Sequence, residues 1–214
     1  MSEPVVTDST SLIMAYSDFT LAKVKETFDL TLEEAHNLFF DVEGVQPSEL
    51  LTLTLQEYIL LATAINTEKA RSELLIAPVL TEVRRQLKYQ ISLFSGTEFN
   101  VDNNLGLTGF CDFIISGSKE QYYIVAPMIA IAEAKNENIK GGLGQCIAAM
   151  VAAKLFNQRA SNDIEIIYGV VTNGTNWKFL TLEGNTVFID SIEYYIKEVD
   201  KILGILLKPI QEFI

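Results

Sequence analysis

Apolar positions recur every three or four residues in some stretches of the chain and cluster in short β-rich runs in others. From Thr54 to Ile65 the spacing of Leu55, Ile59 and Ala62 predicts a helix. Asn66 and Thr67 are N-cap residue types for a second helix, which runs to about Gln90 with Ile76, Leu80, Val83 and Leu87 on one face. Pro78 is expected to kink it, because proline removes one bond from the helical ladder. The pattern then shifts to β-rich runs at Ile91–Phe94, Phe99–Val101, Gly109–Ser116, Tyr122–Val125 and Ile129–Lys135. A helix rich in small apolar residues follows from about Gly144 to Asn157, then an apolar run, Ile164–Thr172, with the profile of a strand covered on both faces. Trp177–Leu182 and Thr186–Ile189 predict a hairpin across Glu183-Gly184-Asn185. From about Ile192, Tyr195, Val199, Ile202, Leu206 and Ile210 form the stripe of a closing helix. This order predicts an α/β sheet with helices on both faces.

Composition bounds the class of protein. The chain has 214 residues, 49% hydrophobic and 21% charged, with mean hydropathy +0.22. That is enough for a sizeable core and too apolar for a disordered chain. No uninterrupted apolar run reaches membrane-spanning length, and no basic-then-apolar leader opens the sequence, so a cytoplasmic protein without a membrane partner is expected. Cys111 and Cys146 are too few and too far apart for a disulfide framework or zinc cluster and are read as core thiols, Cys111 facing away from Asp112 by strand alternation. His36, the single histidine, is read as structural.

The formal charge is −12. Residues 1–66 contain 11 acidic and 2 basic side chains, and residues 67–214 contain 17 and 14, so the first part carries −9 and the second −3. The division suggests an acidic, α-rich N-terminal extension over 1–66, with elements at Asp18–Leu30 and Leu32–Val42, packed on a nearly charge-balanced domain over 67–214. The acidic part is open to contact with a partner protein. The closing helix offers a surface for a homodimer.

The candidate chemistry rests on carboxylates and lysine. Ile129-Ala130-Ile131-Ala132-Glu133-Ala134-Lys135 is an apolar strand whose Glu133 and Lys135 share one face, since side chains alternate with period two. Asp112 sits inside another apolar strand, where an unpaired charge would cost several kcal/mol. If the strands are neighbours, Asp112 and Glu133 could share a divalent cation bound through oxygen, with Lys135 beside it. The alternative is an Asp112–Lys135 ion pair without metal. Glu73 has Ile76, Ala77 and Leu80 at helical spacing after it, which puts it on the inward face of its helix, as a ligand or an edge residue.

These residues resemble the PD-(D/E)XK nuclease superfamily. Asp112 matches its first aspartate, Glu133-Ala134-Lys135 its E-x-K, Glu73 the glutamate that many members carry on the preceding helix, and Gln145 a glutamine on the following one. Cys111 stands where the family name has proline. The segment Val171–Phe179 is similar to one in nuclease domains of type I restriction subunits and related uncharacterised proteins. The resemblance covers about Asn66 to Ile189. It implies a restriction-endonuclease-like core, α-β-β-β-α-β, with a central mixed sheet flanked by helices. It also implies Mg²⁺-dependent hydrolysis of nucleic-acid phosphodiesters, DNA foremost, with Mn²⁺ as a substitute. Asp112, Glu133, Glu73 and the Ala134 carbonyl would hold the metal, Lys135 would act on the attacking water, and Gln145 would orient Lys135 or touch substrate. Lys69, Arg71, Arg84, Arg85 and Lys88 are the expected phosphate contacts. A binding or assembly module of the same fold without catalysis is the competing expectation.

Overall fold

The computed structural model describes residues 14–211 except 36 and 163, so the reading of His36 lies outside the described residues. Eight strands form one mixed sheet: β1 (Thr31–Ala35), β2 (Ser92–Glu98), β3 (Phe110–Ser116), β4 (Met128–Ala134), β5 (Ile166–Thr172), β6 (Asn176–Glu183), β7 (Thr186–Asp190) and the short β8 (Tyr194–Tyr195). Their order is β1-β7-β6-β5-β4-β3-β2, with β8 added to β6. The β1·β7 and β4·β5 pairs are parallel and the others antiparallel. The helices are α1 (Leu21–Thr27), α2 (Glu49–Ile65), α3 (Glu68–Arg71), α4 (Ala77–Gln86), α5 (Ile139–Arg159) and α6 (Val199–Gln211). The α/β class, with a mixed sheet between helices, is as expected.

Each face of the sheet has its own apolar core. One unites Leu51 and Leu55 of α2, Val79, Leu80 and Val83 of α4 and Ile202, Leu206 and Ile210 of α6 with Phe113, Ala132 and Phe179. The other unites Val24 of α1 and Leu143, Cys146, Ile147 and Met150 of α5 with Ile114, Ile131 and Val171. Helix α5 is the crossover between parallel neighbours β4 and β5, a connection that needs a dozen or more residues. It is long and apolar enough to span a membrane by composition, but 56% of that window is buried inside the protein, where it serves as core.

Several boundaries differ from expectation for identifiable reasons. Within the stretch expected to be α-rich, Thr31–Ala35 is a strand, because the exposed side of β7 offers it a parallel partner. Ser48 starts α2 earlier by accepting from the Leu51 amide at 3.2 Å, and it is itself held by the buried Glu82 of α4. Asn66 closes α2 in the left-handed region, and Thr67 caps α3. Between α3 and α4 the chain makes a wider π-helical turn, Ser72–Ile76, immediately before Pro78. The missing proline N–H frees a carbonyl one turn back, so the expected kink takes this form. Phe99–Val101 is an irregular extension of the β2–β3 hairpin, with the Phe99 amide donating to the Gly109 carbonyl at 2.8 Å. Tyr122–Val125 forms no strand: Tyr122 is 98% exposed, and this loop meets the β2 edge through the Gln121 side chain on the Leu93 backbone. Tyr195 belongs to β8 instead of the closing helix, which starts at Val199.

Two contacts fix α5. The buried Asn157 amide both donates to the Met128 carbonyl and accepts from the Met128 amide, at 2.8 and 2.7 Å, and so replaces a strand partner at the start of β4. At the other end, a Cβ on Gly144 would stand 2.2 Å from the Phe19 carbonyl oxygen. The segment before α1 therefore lies against α5 backbone to backbone, and residues 14–30 are packed into the domain. Gly144→Ala should lower stability by about 1–3 kcal/mol through this overlap, although alanine favours helix by about 1 kcal/mol; urea unfolding with an unchanged or raised midpoint would contradict the close approach.

Candidate active site

The β3·β4 pairing ends at Phe113 and Ala132, and the site begins where the strands separate. Asp112 lies opposite Gly96, between the paired Ser95–Phe113 and Thr97–Cys111, and Gly96 has φ +59°. Glycine takes this conformation without strain, which lets β2 deform beside Asp112. The alternation of β3 is interrupted there, since Cys111 and Ile114 join the same apolar cluster. Cys111 thus lies on the α5 side with Cys146, facing away from Asp112, which opens toward α3, as expected of a core thiol. Both thiols are free and buried, and burial pushes both pKa values up, Glu133 adding to the shift. Asp112 accepts the Ala134 amide proton at 2.7 Å, so a carboxylate replaces a backbone carbonyl at the end of the ladder.

Glu133 is 2% exposed and accepts from the Lys135 ammonium at 2.6 Å. The ion pair in the site is therefore Glu133–Lys135, and the metal-free alternative pairing Asp112 with Lys135 is not the one formed. Burial, reinforced by the Asp112 charge, pushes the Glu133 carboxyl up to about 8 despite Lys135. Burial alone would lower the Lys135 pKa, but Glu133, Glu68 and Asp112 outweigh it and hold the ammonium charged. Lys135 also donates to the Gln145 side-chain oxygen at 3.3 Å. Its stem has room because Gly142 lacks a side chain: a Cβ there would lie 3.0 Å from both Cγ and Cε of Lys135. The Lys135 amide donates to the Thr172 carbonyl at 2.8 Å and fixes this end of β4 against β5.

Asp112 and Ala134 open into a cleft of about 240 Å³ whose walls include Glu68, Lys69, Glu73 and Ser95. Glu73 lies at its rim, exposed and paired with Lys69 at 2.8 Å, and does not face inward, because the π-helical turn rotates it out. Glu68, which the sequence reading passed over, is close enough to Glu133 to add to its raised pKa. Glutamate is ordinary in a first helical turn, so nothing in the sequence marked it. Gly142 was equally unmarked.

The expected phosphate contacts separate. Lys69 lines the cleft. Arg71 is turned to Asn66 and to the Asn173–Thr175 loop, with hydrogen bonds of 2.9, 2.9 and 3.3 Å, and ties α3 to the turn after β5. Arg84 donates to the Ile91 carbonyl and lies over the Tyr89 ring, and Arg85 pairs with the buried Glu82. With the exposed Lys88 they stand at the end of the sheet where β2 begins, opposite Ser116, away from Asp112. Arg71, Arg84 and Arg85 therefore serve the fold in this structure.

The cleft is lined by three carboxyl groups, Glu68, Glu73 and Asp112, and one ammonium, Lys69, and the Glu133–Lys135 pair flanks Ala134 on the adjoining strand. That excess of two negative charges suits a divalent cation. Among the described residues no three acidic, histidine or cysteine side chains gather into a chelating group. The donor set fits Mg²⁺ better than Ca²⁺ or Zn²⁺, since Mg²⁺ is commonly held by one or two carboxylates, with water and substrate phosphate completing its shell. Compared with protein-family models, curated proteins and solved structures, the chain gives no match.

The Glu133 environment has a measurable consequence. Its carboxyl titrates at about 8 in the folded chain and at roughly 4.3 unfolded. The folded state holds this proton more tightly, so the group favours folding below the unfolded value and loses that contribution as pH rises through the folded one. In chelator-treated protein, Glu133→Gln should flatten the fall in urea midpoint across this window. Lys135→Met, which strands the buried carboxyl, should carry the fall to higher pH and cost about 3 kcal/mol above pH 8; a variant as stable as wild type there would contradict the ion pair.

Proposed function

We propose that this protein is a divalent-metal-dependent nuclease acting on nucleic acid, DNA foremost, in the cytoplasm, with a restriction-endonuclease-like core formed by α4-β2-β3-β4-α5-β5. The observation that carries the reading is the convergence of Asp112, Glu133, Lys135 and Gln145 at one end of the sheet, with Lys135 hydrogen-bonded to both Glu133 and Gln145. Asp112, Glu133 and the Ala134 carbonyl would hold Mg²⁺ or Mn²⁺, with Glu68 or Glu73 reaching it across the cleft. When bound, the ion supplies a Lewis acid that polarises the phosphate and acidifies a bound water.

The chain's own groups complete the reaction. Water gives up a proton to solvent as its oxygen forms a bond to phosphorus, a backbone P–O bond breaks, and the leaving oxygen takes up a proton from solvent. Lys135, held as an ammonium, donates to the attacking water or to a phosphoryl oxygen and offsets the negative charge that grows there. Gln145 aims the ammonium, and Gly142 keeps its path clear. Asp112 is preoriented by the Ala134 amide, which leaves its other oxygen for a ligand.

A second reading is a module of this fold that binds without cutting. It is favoured by the closed state of the site, where Glu133 is already engaged by Lys135 and Asp112 by the Ala134 amide.

Calorimetric titration with Mg²⁺ or Mn²⁺ should show binding in the millimolar range or tighter in wild type and its loss in Asp112→Asn. With metal, wild type should cleave plasmid, single-stranded or branched DNA, and Lys135→Ala should be slower by about 10²-fold or more. Equal cutting by the two preparations would refute the catalytic assignment; metal binding without cutting of any substrate would favour the module.

A further inference from the structure

Helix α2 is apolar on two faces. Its inward face, with Leu51, Leu55 and Ala62, is buried in the core. Its outer face presents Leu50, Leu53, Leu60, Leu61 and Ile65 at 58, 55, 76, 49 and 50% exposure. At 100° per residue these positions fall in one stripe about 22 Å long. A groove of about 300 Å³ between α2 and α4 continues it past Leu50, along Thr54, Ala77 and Pro78. Large aliphatic side chains gathered on one exposed helix face, here around Glu57, are uncommon on a monomer's surface and mark a contact face.

The charge around the stripe selects its occupant. From Glu49 to Glu68 the chain has three acidic residues and no lysine or arginine, and the adjoining groove adds Glu73 and one cation, Arg85, which is paired with the buried Glu82. Glu49 and Glu57 are exposed on α2 itself, and Glu57 falls within the stripe between Leu53 and Leu60. A second copy packed on α2 about a two-fold axis would bring the two Glu57 carboxylates together and face one acidic surface with another. An anionic membrane surface meets the same repulsion. The length and spacing of the stripe match a helix laid along it, read through apolar side chains every three or four residues.

We propose that the outer face of α2, with the adjoining α2–α4 groove, docks an amphipathic helix of a partner protein that carries leucine-type residues on one face and lysine or arginine beside them. Its apolar side covers Leu50, Leu53, Leu60 and Leu61, and its cations meet Glu49 and Glu57. The groove adjoins the cleft at Asp112 through Glu73, which lines both, while Leu53 and Leu60 lie outside the cleft, so the surface serves an enzyme and a binding module alike.

The test uses the whole chain and two synthetic helical peptides of about 18 residues, sharing one leucine stripe and bearing lysine or glutamate elsewhere. Light scattering should show a monomer. The lysine peptide should bind, more weakly as salt is raised, and the glutamate peptide should not. Leu53→Gln with Leu60→Gln should weaken the lysine peptide about tenfold or more, with the melting temperature kept because both side chains are exposed. Leu60→Gln alone, at the most exposed position, supplies a second variant. A wild-type dimer that the double variant dissociates would overturn the proposal in favour of a second copy. Uptake on neutral phosphatidylcholine vesicles lost in the double variant would overturn it in favour of lipid. Equal binding of the two peptides, or no loss in either variant, would also overturn it.

Discussion

Seven consecutive residues of β4 are buried, and the sixth of them is Glu133. A strand covered on both faces needs a helical layer on each side, and α5 on one face with α2, α4 and α6 on the other supply it. A carboxylate at the end of such a strand needs a cation within the same low-dielectric space. Lys135, two residues on and on the same face, is the nearest that period-two geometry provides. That ion pair constrains the neighbouring elements. Gly142 leaves room for the lysine stem, Gln145 takes a second of its three donors, and the parallel partner β5 holds the Lys135 amide through Thr172.

The same end of the sheet is where regular pairing stops. Past Phe113 and Ala132 the β3·β4 ladder is continued by the Asp112 side chain, and the deformation is accommodated at Gly96 on the next strand. A sheet that ended cleanly would leave Asp112 either pointing to solvent or buried without a partner. Here the separation of the strands leaves a cleft under α3 and places around it Asp112 from β3 with Glu68 and Glu73 from the helical segment above. The cations stay few at this end because the arginines on the preceding helical segment are spent holding α2, α3, α4 and the turn after β5 in place.

The acidic first third of the chain is part of the fold as well as a charged surface. Thr31–Ala35 extends the sheet, the Phe19–Leu21 turn lies on α5 at Gly144, and the inner face of α2 completes the core beneath α4 and α6. Its outer faces keep the negative charge, so one segment contributes apolar burial inward and an acidic, partly apolar surface outward.

The order of helices and strands from Thr54 onward was legible because each element is long enough to show its period, and the hairpin at Gly184-Asn185 was legible from its turn residues. Asp112, Glu133, Lys135 and Gln145 were legible because charged groups stand out in apolar strands or match a motif. Other features depend on contacts distant in sequence. Strand β1 is a strand because β7 offers an edge. Tyr122–Val125 is not a strand because its loop meets the β2 edge through the Gln121 side chain in place of a backbone ladder. Arg71 is structural because the loop after β5 comes to it, and Glu68 enters the site because α3 lies over the separation of β3 and β4. Local spacing determined which side chains share a face, since that follows from backbone geometry alone. Which charges became neighbours was decided by the tertiary structure, since long-range pairing of strands and helices sets those distances.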